Sequence, residues 1–106
     1  MGNKRRYERI VLPHEKSIPC EGVNREFAGR VLVIGSSGMY VLSSTRLPVG
    51  TEIELRVLTE AEPFELSCVV RTVEPGGMGV EFVWLSAAIE LKLRRYLNRL
   101  RKEVQV

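Results

Sequence analysis

Aspartate is absent from this chain: its thirteen acidic residues are all glutamate. Histidine occurs once, at His14, and tryptophan once, at Trp84; the two cysteines are Cys20 and Cys68. Each shortage removes a class of chemistry. A catalytic histidine is normally oriented by a carboxylate, and His14 stands in a polar stretch with no aspartate to hold it. One histidine, two distant cysteines and scattered glutamates do not form a zinc ligand set. Neither cysteine belongs to a CxxC pair, so both read as reduced, partly buried thiols. The phosphate-cradling GxxxxGK[ST] is missing, as is GxGxxG opening a helix. Gly35-Ser36-Ser37-Gly38 is one residue short of a G-x-S-x-G elbow and falls between two strands rather than before a helix. The chain is therefore expected not to be an enzyme and to need no cofactor or metal. It has no apolar run approaching the roughly 20 residues of a membrane span. Nor does an apolar segment follow the charged N-terminus. No membrane span and a cytoplasmic location are expected.

What is present suits one globular domain: 106 residues, 44% hydrophobic and 27% charged, with a net charge of +3. The charge is uneven. Residues 1–30 carry seven Lys/Arg against four Glu, and residues 87–106 six against two, whereas residues 31–86 carry three against seven. The basic excess belongs to the two ends, around a slightly acidic middle. A duplex-binding protein more often concentrates its excess on one face. The few aromatics fall mostly at core positions, which leaves few stacking platforms. A nucleic-acid polymer is not an expected partner.

Most of the chain alternates with period two. Ile53, Leu55 and Val57 alternate with Glu52, Glu54 and Arg56, and Phe64, Leu66, Cys68 and Val70 continue the pattern. Such runs predict half-buried strands over 51–58 and 64–74. Residues 78–84 follow, with Val80, Phe82 and Trp84 in register, and Pro75-Gly76-Gly77 closes the two runs into an antiparallel hairpin. Further strands are predicted over 27–34 and 39–43, joined through Gly35–Gly38. Ile10, Val11 and Leu12 can begin a strand or dock on the core. Residues 14–25, with Pro19 and Gly22, read as a loop or an irregular edge strand. Ser86 can cap a helix of about 16 residues, because Ile89, Leu93, Tyr96, Leu97 and Leu100 form one apolar stripe. Five to seven short antiparallel strands followed by one helix bury their apolar faces best as a barrel or sandwich. The helix stripe can cover the barrel or pair with its twin in a homodimer.

One cluster stands apart from this framework. Lys4-Arg5-Arg6-Tyr7-Glu8-Arg9 precedes the first strand and holds three guanidiniums. Each presents a flat fork that fits phosphate oxygens, or the O6/N7 edge of guanine, with two parallel hydrogen bonds. Such a cluster at a barrel edge can clamp an anionic, guanine-bearing ligand.

The order of these parts resembles the PilZ domain family, bacterial modules that bind the second messenger cyclic di-GMP. Arg5-Arg6-Tyr7-Glu8-Arg9 looks like the family's RxxxR arm. Val31 to Val41 resembles its strand-turn-strand with [D/N]xSxxG, and Gly50-Thr51-Glu52-Ile53-Glu54-Leu55 resembles a later strand. Val69-Val70-Arg71 and Gly79-Val80-Glu81-Phe82 look like its last hairpin, and Leu85-Ser86 leads into its closing helix. The resemblance implies an all-β, six-stranded antiparallel barrel with one C-terminal α-helix. It divides the chain into an arginine-bearing arm, 1–13, and a barrel, 14–106, with the helix at 86–102. It further implies a single-domain regulatory protein that binds cyclic di-GMP through Arg5, Arg6 and Arg9 together with Gly35, Ser36, Ser37 and Gly38. Arg5 and Arg9 would grip phosphates and guanine edges, one guanidinium stacking on a purine.

The second motif departs from the family pattern. With Gly38 as its last glycine, Val33 stands at the Asp/Asn position and Gly35 at the Ser position; Gly38 is expected to serve a bend that needs positive φ. A hydrogen bond to a charged group is worth about 1.5–3 kcal/mol. Loss of the carboxylate is thus expected to weaken binding about ten- to a hundredfold. The alternative function is a ligand-independent adaptor that acts on an unidentified protein partner.

Overall fold

In the computed structural model, residues 9–105 are described; Arg5 and Arg6 lie outside them. Seven strands occur there: β1 (Arg9–Val11), β2 (Ile18–Gly22), β3 (Ala28–Gly35), β4 (Gly38–Leu42), β5 (Glu52–Val57), β6 (Phe64–Glu74) and β7 (Gly77–Phe82). One helix, α1 (Ala87–Gln105), follows. The sheet runs β1-β3-β2-β5-β6-β7-β4 and closes where β4 pairs with β3, all antiparallel. Six strands form the closed ring. β1 is an addition: it pairs with residues 33–35 of β3, while β2 pairs with residues 28–31 of the same strand. The two short strands therefore share one lane, separated by a 3-10 turn at His14–Lys16. Arg30 holds that turn, donating from Nε to Ser17 Oγ (2.7 Å) and from Nη2 to Ser17 O (2.8 Å).

Local chemistry explains where each strand falls. The alternating residues Ile53, Leu55, Val57, Phe64, Leu66, Cys68 and Val70 all point into the barrel and are buried, with Val31, Ile34, Val41 and Met78. Gly76, at φ 86°, follows Pro75 in the β6–β7 turn; Pro then a positive-φ glycine is the type II arrangement. The segment that reads from sequence as loop or edge contains β2, a strand inside the ring. Pro19 is tolerated because it sits one residue beyond the last β2–β5 pair, Cys20 with Val57. Its missing N–H faces the end of that ladder, and its carbonyl still accepts from Leu58 N (2.9 Å).

Ser86 caps α1, accepting at Oγ from Ile89 N (3.2 Å). The stripe covers the barrel: Leu93, Leu97 and Leu100 are buried in the common core, and Tyr96 meets Phe64 edge-on at 5.5 Å. Burying a leucine side chain contributes about 1.5–3 kcal/mol, so these contacts fix the helix to the barrel. No helix among the described residues is long and apolar enough to cross a membrane.

Trp84 departs from the expected pattern. β7 ends at Phe82, and after Val83 N bonds Ser67 O (2.8 Å) the chain turns at Trp84 with φ 56°. That left-handed turn leads toward the Ser86 cap and puts the indole outside, 88% exposed. The period-two register ends two residues earlier than the sequence implies.

Candidate functional site

A cleft of about 540 Å³ lies on the outer wall of the barrel where β1, β3, β4, β7 and β6 run side by side. Its position follows from register. Directly paired residues share a face. The pairs Arg9 with Gly35, Val33 with Tyr40, Tyr40 with Gly79, and Gly38 with Glu81 therefore put these side chains and glycines on one surface. Arg9, Val33, Gly35, Ser37, Gly38 and Tyr40 line one side of the cleft. Arg71, Thr72, Glu74, Gly79 and Glu81 line the other.

Two β-bulges border this surface. In β3 the register slips between Val31 and Val33, so Leu32 is the extra residue and its carbonyl accepts from Leu12 N (2.8 Å). In β6 it slips between Val70 and Thr72, which makes Arg71 the extra residue. A bulge bends its strand and re-aims the unpaired side chain. Arg71 is turned outward along the cleft, where its Nε donates to Glu81 Oε1 at 2.6 Å. Thr72 Oγ1 helps mend the ladder by accepting from Gly79 N (3.2 Å).

Four of the residues picked out by sequence meet here: Arg9, Gly35, Ser37 and Gly38. Ser36 is exposed at the turn and does not line the cleft. Arg5 and Arg6 are outside the described residues. Gly38 is required for a different reason than a left-handed bend. Among the described residues only Gly50 and Gly76 are glycines with positive φ, whereas a Cβ on Gly38 would collide with the Val80 carbonyl oxygen. The glycine lets β4 lie against β7, where its Cα partner is Glu81.

The cleft mixes signs. Arg9 and Arg71 supply positive charge, and Glu74 and Glu81 supply carboxylates. Glu74 Oε1 accepts from Tyr40 OH at 2.8 Å, and that bond raises the Tyr40 phenol above its ordinary value. The Arg71–Glu81 pair is about half exposed on both sides; such pairs contribute only about 0–1 kcal/mol. The cleft also falls within the roughly 300–1,000 Å³ typical of small-molecule sites. Sequence reasoning missed Arg71, Tyr40, Glu74 and Glu81. The available signal was that Arg71 and Glu81 stand at outward positions of adjacent strands.

A larger cavity, about 700 Å³, lies between the 3-10 turn, the 58–61 loop and the second half of α1. Its cations Lys16, Arg30 and Arg99 are matched by Glu15, Glu60 and Glu103. The Arg30 fork is already engaged with Ser17, and none of the residues picked out by sequence lines this cavity.

The chain is thus a small closed barrel, capped by a C-terminal helix and carrying an arginine-edged cleft beside a glycine turn. The sequence matches the PilZ domain family model over residues 3–99, and the chain belongs to that family. No curated protein sequence matches it. Among solved structures it is similar to the PilZ domain of YcgR from Escherichia coli, determined with c-di-GMP. The TM-score is 0.80 at 20% identity, covering 95% of this chain and 94% of that one. It is also similar to the inhibitor of motility MotI/DgrA from Bacillus subtilis, with TM-score 0.75 and 19% identity. That match covers 95% of this chain and 52% of that one. The uncharacterised Legionella protein Lpg0364 matches with TM-score 0.68 and 24% identity, over 91% of this chain and 96% of that one. These likenesses share the capped six-stranded barrel.

Proposed function

We propose that this protein is a non-enzymatic, cytoplasmic regulatory module that binds cyclic di-GMP in the β1–β3–β4–β7–β6 cleft. The observation that carries the reading is the pairing of Arg9 with Gly35. It puts the last arginine of RxxxR at the rim of a cleft whose wall contains the glycines of the second motif. Arg5 and Arg6 precede Arg9 by four and three residues. At about 3.6 Å per residue, the chain tethers both within about 14 Å of it. A dianion with two guanines offers this cluster phosphate oxygens to neutralise and O6/N7 edges to accept its forks. The YcgR domain of the same fold was determined with this dinucleotide. Binding draws the arginines onto the barrel, and the altered N-terminal surface is what a partner protein would read.

Titration calorimetry with cyclic di-GMP tests the reading. Heat of binding that disappears in Arg9→Ala is expected; no heat from folded protein at tens of micromolar ligand contradicts it.

A second reading, a ligand-independent adaptor, is favoured by one observation: Val33 lines the cleft where the family pattern has Asp or Asn. A protein complex that survives Arg5→Ala and Arg9→Ala, from a chain that binds no dinucleotide, would select it.

A further inference from the structure

Recognition of guanine ordinarily needs an acceptor for its N1–H and N2–H donors, and the chain has no aspartate at all. We infer that Glu81, on β7, supplies this carboxylate and makes the cleft selective for guanine over adenine. The inference rests on the dinucleotide reading above.

Three features of Glu81 carry it. First, Glu81 is the Cα partner of Gly38 in the β4–β7 ladder and lines the cleft. Because Gly38 has no side chain, the β4 residue paired with Glu81 adds none of its own to the space beside the carboxylate. Second, Glu81 is oriented. Arg71, turned outward by the β6 bulge, donates from Nε to Oε1 at 2.6 Å. That contact engages Oε1 and leaves Oε2 as an acceptor. Third, the position is offset from the missing one. Val33 on β3 and Glu81 on β7 are separated by β4, and two strand spacings amount to about 10 Å. Glu81 therefore approaches from the far wall, opposite the Arg9 side. A base between the two walls can offer O6/N7 to an arginine fork and N1–H/N2–H to Glu81.

Adenine makes this discrimination chemical. Its corresponding edge carries an unprotonated N1 and no exocyclic N2 group, so a carboxylate there meets a lone pair instead of two donors. Glu74, the other carboxylate of the cleft, already accepts the Tyr40 hydroxyl.

Titrate wild type, Glu81→Gln and Arg71→Gln with cyclic di-GMP and cyclic di-AMP, with folding monitored by circular dichroism. Wild type is expected to prefer the guanine dinucleotide. Glu81→Gln should weaken cyclic di-GMP about ten- to a hundredfold, the range for a lost charged hydrogen bond, while cyclic di-AMP binds as before or more tightly, because the carboxylate no longer faces its N1 lone pair. The preference should then collapse. Arg71→Gln removes a positive charge and the contact that orients Glu81 but keeps the carboxylate, so it should weaken both ligands and lower their ratio less than Glu81→Gln does. Unchanged or tighter cyclic di-GMP binding in Glu81→Gln, with wild type binding normally, overturns the Glu81 assignment alone. So does an unchanged guanine-to-adenine ratio. Wild type that binds neither dinucleotide overturns the assignment together with the function on which it rests.

Discussion

Arg9 and Gly35 face each other as Cα partners at the end of the β1–β3 ladder. One contributes the last guanidinium of the N-terminal motif, and the other begins the glycine-serine turn into β4. Register alone therefore joins two sequence motifs that stand 26 residues apart. Arg9 is exposed, while its neighbour Ile10 is buried in the core. Arg9→Ala should accordingly leave the melting temperature nearly unchanged while abolishing dinucleotide heat. A large drop in melting temperature would mean that Arg9 supports the strand rather than the ligand.

Val33 lies half-buried on the cleft wall beside Tyr40. Val33→Asp restores the carboxylate of the family pattern on the surface that Arg9 shares. Affinity for cyclic di-GMP should rise about tenfold or more, the worth of a hydrogen bond to a charged acceptor. Unchanged affinity, measured by calorimetry, would mean that the ligand does not reach β3.

Trp84 holds φ 56° with its ring in solvent. A left-handed conformation costs a non-glycine residue about 1–2 kcal/mol, and asparagine tolerates it better. Trp84→Asn should therefore stabilise by about 1 kcal/mol, a rise in Tm of about 4–8 °C for a domain near this size. Trp84→Gly should gain less, because glycine also loosens the unfolded chain. A fall in Tm for both would mean that the indole makes a stabilising contact.

Burial pushes the Cys20 thiol up to about 11 and the Cys68 thiol up to about 12, from an ordinary value of 9.0. The folded chain thus keeps protons that the unfolded chain releases. Stability is present in full below about pH 9 and is lost as pH rises toward 11 and 12, at about 1.4 kcal/mol per unit of separation. Tyr96, raised to about 12 chiefly by burial, acts in the same direction. Urea midpoints at pH 8 and pH 10 should fall between the two, and a thiol reagent at pH 8 should label neither cysteine until the protein unfolds. Labelling of native protein, or a flat midpoint, would contradict this.

Much of the barrel is legible in the sequence because its signal is local. The alternation through Phe64–Glu74 gives strand and inward face together, Pro75-Gly76 gives the turn, and Ser86 gives the helix start. β2 is concealed because Pro19 reads as a strand breaker until its place beyond the end of a ladder is known. Trp84 misleads because it keeps apolar periodicity after the backbone has turned. The motif side of the cleft holds Arg9, Gly35, Ser37 and Gly38, all picked out by sequence. Its far wall is not legible in this way. Arg71 enters by a bulge, which depends on pairing between strands, and Glu81 is set beside Gly38 only through the β4–β7 register. Alternation predicts that both point outward, but not that they meet.

Amide NMR titration of the folded protein with cyclic di-GMP tests the central claim most directly. The account predicts that resonances of Arg9, Gly35, Ser37, Gly38 and Gly79 shift with a common dissociation constant, while those around Arg30, Leu58 and Arg99 stay in place. Shifts confined to the cavity beside α1, or none at saturating ligand, would contradict it.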